Sequence, residues 1–167
     1  MRNRQIISLL LIIMALFAAA KPASAVGVAA DAGILIEAET GKILYSKNMH
    51  ERRRPASTTK IMTGILAIEE GDLDEIVTVS ERAAAEGGSS IYLSPGEKLS
   101  LRELVYGLLV KSGNDAAVAI AEHIGGSVEG FAEMMNQKAR EIGALQTNFQ
   151  NPNGLPQTGH LTPDSRR

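Results

Sequence analysis

Cysteine is absent from the 167 residues. A chain without cysteine has no disulfides, which excludes the toxin-like and growth-factor-like scaffolds that replace a core with crosslinks. Its stability must come from buried apolar surface. An excess of either charge is also missing. Lys+Arg total 17 and Asp+Glu 19, for a formal net charge of -2. The two signs are intermixed, with no basic stripe, so no nucleic-acid partner is expected. Repeats and low-complexity tracts do not occur. The three histidines, His50, His123 and His160, lack ligand spacing and read as surface or core residues rather than zinc ligands. No metal or cofactor is expected.

No apolar run reaches the roughly 20 residues of a spanning helix. The longest is N-terminal. Arg2 and Arg4 precede Ile6 to Ala20, a run broken only by Ser8, and Pro22-Ala23-Ser24-Ala25 ends in an A-x-A pattern. Residues 1–25 therefore read as a secretory signal peptide with Val26 as the mature N-terminus; the alternative is an uncleaved anchor. Either way the remainder is expected to work outside the cytoplasm, in the cell envelope or secreted. Residues 26–167 give room for one modest domain.

Local patterns alternate between strand and helix. Ala32 to Lys47 reads as a hairpin, with Glu39-Thr40-Gly41 between two β-branched and aromatic runs. Residues 57–70 predict a broadly apolar, buried helix carrying Ile61, Met62, Ile65, Leu66 and Ile68 and ending at Gly71. Glu75 to Val79 predicts a short strand, followed by a helix capped at Ser80. Ser100 and Glu103 form a capping box for a helix with Leu101, Leu104, Val105, Leu108 and Leu109 on one face. That helix stops at Ser112-Gly113-Asn114. Further helices are expected over Asp115 to Ile124 and Val128 to Ile142, and loop beyond. Arg52-Arg53-Arg54 reads as solvated loop, with a possible share in the positive potential beside Ser57.

Two polar motifs interrupt this apolar pattern. Ser57-Thr58-Thr59-Lys60 is an S-x-x-K. A serine at a helix start lies near unpaired amides and the positive end of the helix dipole. A lysine three residues on shares its face. A desolvated lysine near other positive groups can lose its proton and act as a base. The pattern is cheap, with about one chance match per chain of this size. Taken alone, Ser57 as an N-cap beside a surface lysine is the simpler reading. The second motif, Ser112-Gly113-Asn114, is either a helix–helix turn or a polar elbow from which Ser112 and Asn114 reach Lys60 and a substrate.

Together the motifs carry a resemblance. Pro55-Ala56-Ser57-Thr58-Thr59-Lys60-Ile61-Met62-Thr63 and Leu109-Val110-Lys111-Ser112-Gly113-Asn114-Asp115-Ala116 resemble the first two motifs of the low-molecular-mass penicillin-binding proteins. The group they resemble within these is the serine D-alanyl-D-alanine carboxypeptidases. The likeness runs from about Ala32 to His160 and includes Gly87-Gly88-Ser89-Ser90, Ser94-Pro95-Gly96-Glu97 and Asn151-Pro152-Asn153-Gly154-Leu155. It implies an α/β (α+β) chain of the β-lactamase/transpeptidase-like fold, an antiparallel sheet with a helical cluster. Residues 26–167 would be the N-terminal portion of that catalytic domain.

The resemblance also implies a chemistry. Ser57 would attack the peptide bond between two D-alanines ending a peptidoglycan stem peptide, and Lys60 would take its proton. The Ser57 amide would form part of the oxyanion hole. Ser112 would relay a proton to the leaving D-alanine, and Asn114 would bind the substrate and orient Lys60. β-Lactams would be covalent inhibitors. Alternatives are a β-lactam hydrolase of the same fold, or a non-catalytic vestigial wall-binding protein. The family's third motif, a K-T-G strand, has no counterpart here; Lys111-Ser112-Gly113 overlaps the second motif and Thr158-Gly159 follows Gln157. The chain thus reads as the front part of a carboxypeptidase, with little turnover expected of it alone. Any contact with a membrane surface would come through the missing C-terminal region.

Overall fold

Gly33–Ile36 (β1) and Ile43–Lys47 (β2) pair antiparallel, with Gly33 opposite Lys47 and an irregularity at Leu35/Ile36. The connection closes on Glu37. Its carbonyl accepts from the Gly41 amide, and its carboxylate accepts from the amides of Glu39 and Thr40. This is the hairpin expected from the sequence. The computed structural model describes residues 27–163, so the signal peptide assigned to residues 1–25 lies outside the described residues. Of these, residues 31–163 belong to one compact unit and residues 27–30 to another. Among the described residues, the strands and helices belong to the unit that begins at Asp31.

Two further antiparallel ladders form among the described residues. Arg52–Arg53 (β3) pairs with Thr162–Pro163 (β6), and Ile76–Thr78 (β4) pairs with Lys98–Ser100 (β5). The β3 pairing corrects the reading of Arg52-Arg53-Arg54 as plain solvated loop. Arg53 also meets Asp31 at 3.7 Å and forms an ion pair with Glu51. The α-helices among the described residues are Thr59–Glu70 (α1), Glu81–Ala84 (α2), Leu101–Lys111 (α3), Asn114–Gly125 (α4) and Val128–Glu141 (α5). Ser80 caps α2 by accepting from Ala83, and Ser100 and Glu103 close the capping box of α3.

The core is helical and centres on α4, whose residues from Asn114 to Ala121 are all buried. Its alanines keep helix propensity high while allowing neighbours to approach closely. Packed on them are Leu66 of α1, Leu104 and Leu108 of α3, and Phe131 and Met135 of α5. The turn from α4 to α5 is tight: a Cβ on Gly125 would lie 2.5 Å from the Phe131 amide nitrogen. Ser127 caps α5 by accepting from Gly130. Phe131 is fully buried. Its exchange for alanine is expected to cost about 3–5 kcal/mol, a large share of a domain's roughly 5–15 kcal/mol. A thermal melt of Phe131→Ala showing an unchanged midpoint would contradict this placement of the core.

Not every apolar stripe is covered. Ile61 (59 % exposed) and Ile68 (55 %) of α1, and Leu109 (52 %) of α3, lie open to solvent, although the sequence pattern placed them on buried faces. On the hairpin, Leu35, Ile36 and Leu44 are more than half exposed. Among the described residues no helix is long and apolar enough to cross a membrane.

Candidate active site

Ser57 is presented by strained backbone. Ala56 has φ 48, in the left-handed region, where a residue with a side chain is disfavoured. Ser57 then sits in the single 3₁₀ turn Ala56–Thr58, ahead of α1 rather than at its cap. The Thr58 amide and hydroxyl both donate to the Pro55 carbonyl, at 3.2 and 2.5 Å. Ser57 remains solvent-exposed.

Lys60 lies in the first turn of α1 and is only 3 % exposed, which removes the reading of a surface lysine. Its ammonium nitrogen donates to Ser57 Oγ at 3.3 Å and to the Asn153 carbonyl at 2.9 Å. Both acceptors are uncharged. Burial pushes the Lys60 ammonium below the usual lysine range, because desolvation penalises the charged form.

The Asn153 carbonyl belongs to a loop gripped by α1. Thr63, one turn beyond Lys60, donates to the Pro152 carbonyl at 2.6 Å. Thr59 Oγ1 meets His160 Nε2 at 2.9 Å, and His160 Nδ1 accepts from the Gln150 amide at 3.0 Å. Within the loop, Asn151 Oδ1 accepts from the Gly154 amide and Asn153 Oδ1 from the Leu155 amide. Asn153 Nδ2 donates to Glu86 at 3.0 Å. Gly154 has φ +85, and a Cβ there would lie 1.8 Å from the Ala56 carbonyl oxygen. The loop thus backs directly on the turn that carries Ser57.

Ser112 arrives from the other side. It ends α3 at φ 58 and ψ 35, with its amide donating to the Gly107 carbonyl. Its hydroxyl donates to Ser57 Oγ at 3.3 Å. Ser57, Lys60 and Ser112 therefore meet. Asn114 is placed differently from the expectation that it orients Lys60. Its carboxamide donates to the Gly87 carbonyl at 2.6 Å and its amide to the Ser89 carbonyl at 2.7 Å. What orients Lys60 here is the Asn153 carbonyl.

Asp115, next along α4, holds the facing loop. Its buried carboxylate accepts from the Ser90 hydroxyl at 2.6 Å and from the amides of Ile91 and Leu93 at 3.1 Å and Ala116 at 2.9 Å. Burial works to raise this carboxyl, and the hydrogen bond from Ser90 and those from the backbone amides outweigh it, so it lies below its usual range. A depressed carboxylate contributes stability above its unfolded pKa and loses it as pH falls through the folded one. Reversible loosening of the 90–93 loop is therefore expected only below about pH 4. Amide exchange at Ile91 and Leu93 as a function of pH reads it directly, and exchange that accelerates already near neutrality would contradict it.

A hollow of about 390 Å³ is lined by Glu86, Asn136, Asn153 and Leu155 among others, and by none of Ser57, Lys60, Ser112 or Asn114. Among the described residues no group of three or more His, Cys, Asp or Glu could hold a metal ion.

The family described as D-alanyl-D-alanine carboxypeptidase matches residues 18–164. The chain belongs to this family. It is 49% identical over 138 residues to D-alanyl-D-alanine carboxypeptidase DacF of Bacillus subtilis, covering 80% of this chain and 36% of that relative. The crystal structure of the carboxypeptidase DacD from Francisella tularensis matches with a TM-score of 0.79 at 42% identity, over 90% of this chain and 38% of that one. Penicillin binding protein 5 from Haemophilus influenzae matches with a TM-score of 0.79 at 32% identity, over 86% of this chain and 44% of that one. The chain thus spans under half the length of each of these relatives. Its mixed α/β architecture, helices with short antiparallel ladders, is the penicillin-binding-protein fold.

The carboxypeptidase motifs of the sequence singled out Ser57, Lys60, Ser112 and Asn114, of which the structure brings the first three together. They did not reveal that Thr59, Lys60 and Thr63 bond to His160, the Asn153 carbonyl and the Pro152 carbonyl, or that Asp115 accepts from the 90–93 loop. The local signal available for the first group was a polar stretch, Asn151 to Gly154, dense in turn-forming residues.

Proposed function

We propose that this chain carries the nucleophile and base of a serine D-alanyl-D-alanine carboxypeptidase, which removes the terminal D-alanine of peptidoglycan stem peptides through an acyl-enzyme. The observation that carries this reading is a buried lysine with uncharged partners, 3.3 Å from an exposed serine hydroxyl. Ser57 Oγ attacks the carbonyl of the penultimate D-alanine, and Lys60, whose charged form its burial disfavours, accepts the Ser57 proton as the free amine. Ser112, 3.3 Å from Ser57 Oγ, passes a proton to the departing amine of D-alanine. Water then attacks the ester, and Ser57 recovers its proton. Asn114 binds the substrate backbone through the carboxamide oxygen, with its nitrogen committed to Gly87.

Residues 26–167 are the N-terminal portion of the catalytic domain in this reading, exported by way of a signal peptide over residues 1–25. β-Lactams act on it as covalent inhibitors because their strained amide takes the same attack. The test uses protein expressed from its complete reading frame and treated with a fluorescent penicillin. Peptide mapping is expected to place the adduct on Ser57, and a peptide ending in D-Ala-D-Ala is expected to compete and to release D-alanine. An adduct on Ser112, or folded protein that neither labels nor releases D-alanine, overturns the assignment. Rapid turnover of a chromogenic β-lactam would reassign the chain to β-lactam hydrolysis.

A further inference from the structure

We propose that His160 is the positioning residue for Lys60: a neutral imidazole with its proton on Nε2 that clamps the 150–154 loop onto α1 and so aims the lysine at Ser57. This rests on the function proposed above. His160 is 1 % exposed and bonded at both nitrogens. Nδ1 faces the Gln150 amide, which can only donate, so Nδ1 is unprotonated. The proton of the neutral ring is therefore on Nε2 and is given to Thr59 Oγ1. One imidazole thereby ties the loop to the residue preceding Lys60.

The clamp acts on Lys60 through the Asn153 carbonyl. A neutral amine has two N–H bonds and one lone pair. Donation of one N–H to the Asn153 carbonyl, at 2.9 Å, fixes the rotation of the amine and turns the lone pair toward the Ser57 hydroxyl. If the loop withdraws, Lys60 keeps its place in the helix but loses that orientation.

The arrangement requires a neutral ring. An imidazolium would bring an Nδ1–H against the Gln150 N–H, donor against donor. The surroundings oppose that charge. Segment 149–160 contains no Asp, Glu, Lys or Arg. The first turn of α1 contributes Lys60, which brings no negative charge, with Glu69 and Glu70 at its far end, and β3, paired with β6 just beyond His160, contributes Arg52 and Arg53. The Phe149 ring packs edge-on at 5.8 Å. Burial alone pushes the imidazole below its usual range.

The test has two arms. In ¹⁵N-labelled protein, two-bond proton–nitrogen correlation spectra report the tautomer and titration of each histidine. His160 is expected to show protonated Nε2 and bare Nδ1, and the amides of Asn153 and Gly154 are expected to shift with the same midpoint as His160. The opposite tautomer, or loop amides that ignore His160 protonation, overturns the inference, and this arm needs no variant. The second arm measures penicillin labelling against pH. His160→Phe keeps a ring and loses both hydrogen bonds, so labelling is expected to slow by about a hundredfold, the scale of a 1 Å misplacement. His160→Gln retains a donor and an acceptor and is expected to recover part of the rate. In the unaltered protein a second proton enters the acid limb below the His160 pKa, and in His160→Gln it is absent. Variants that label at the unaltered rate with the unaltered pH profile refute the clamp. If no form labels at any pH, the carboxypeptidase reading fails, and the tautomer and loop shifts still decide the role of His160.

Discussion

Ser57→Ala is expected to abolish penicillin labelling and D-alanine release while leaving the thermal melt unchanged. The side chain is exposed, and its hydroxyl meets only the side chains of Lys60 and Ser112; Lys60 keeps its bond to the Asn153 carbonyl without it, so the loss removes no hydrogen bond that the fold needs. The chemistry has no substitute, because the covalent intermediate forms on that oxygen. In other serine hydrolases loss of the nucleophile costs on the order of 10⁶ in rate, which is loss of signal in a labelling assay. Lys60→Arg separates the base from the charge. A guanidinium stays protonated at any accessible pH, so Ser57 remains while its proton acceptor is gone. The labelling rate is expected to fall by about 10²–10⁴, the usual contribution of general-base catalysis. If Lys60→Arg labelled at the original rate, proton transfer to Lys60 would have to be given up and the lysine reassigned to electrostatics.

Gly154→Ala is expected to damage fold and site together, although residue 154 touches no substrate in the proposed reaction. The new Cβ would lie 1.8 Å from the Ala56 oxygen, 2.4 Å from the Ala56 carbonyl carbon and 3.0 Å from Thr59 Oγ1. Backbone cannot yield as the tip of a flexible side chain can. The left-handed φ adds about 1–2 kcal/mol for any L-residue with a Cβ, and overpacking adds roughly 1–3 kcal/mol. Relief requires either the loop or the Ser57 turn to move. Movement of the loop carries the Asn153 carbonyl away from Lys60, and movement of the turn carries Ser57 away from it. Displacement by about 1 Å costs around a hundredfold in rate. Melting and penicillin labelling of Gly154→Ala are expected to fall in parallel, and a variant matching the unaltered protein in both would show that the close approach is not real.

What could be read from the sequence was what repeats locally. The hairpin, the capping box of Ser100 and Glu103, and the placement of Ser57 and Lys60 one helical turn apart come from periods of two and 3.6 residues. Lys60 and Asn153 are 93 residues apart, and Thr59 and His160 are 101 apart. Contacts at such separations leave no local pattern, so the loop that completes the lysine site was visible as turn-forming residues and as part of the family resemblance, and its contact with Lys60 was not. Asp115 illustrates a different limit. An acidic residue in the first turn of a helix is ordinary on dipole grounds, and nothing local indicates that its carboxylate serves the amides of Ile91 and Leu93. Ile61, Ile68 and Leu109 show a third. Periodicity identifies an apolar stripe and is silent on whether anything lies over it.

The left-handed residues at Ala56 and Ser112 bear on any attempt to engineer this protein. Each holds a conformation that costs an L-residue about 1–2 kcal/mol and that glycine adopts freely. A selection for thermal tolerance alone would therefore favour glycine at both positions, where relief of the backbone outweighs the entropy that glycine adds to the unfolded chain. One exchange would loosen the turn that presents Ser57, and the other would delete the hydroxyl of Ser112. Sturdier descendants of this sequence would be slower acylators, and a screen that scored only survival on heating would enrich them without detecting the loss. Asn48, also left-handed at φ 49 and lying in the turn after β2, offers the same relief to an engineer without entering the Ser57 cluster.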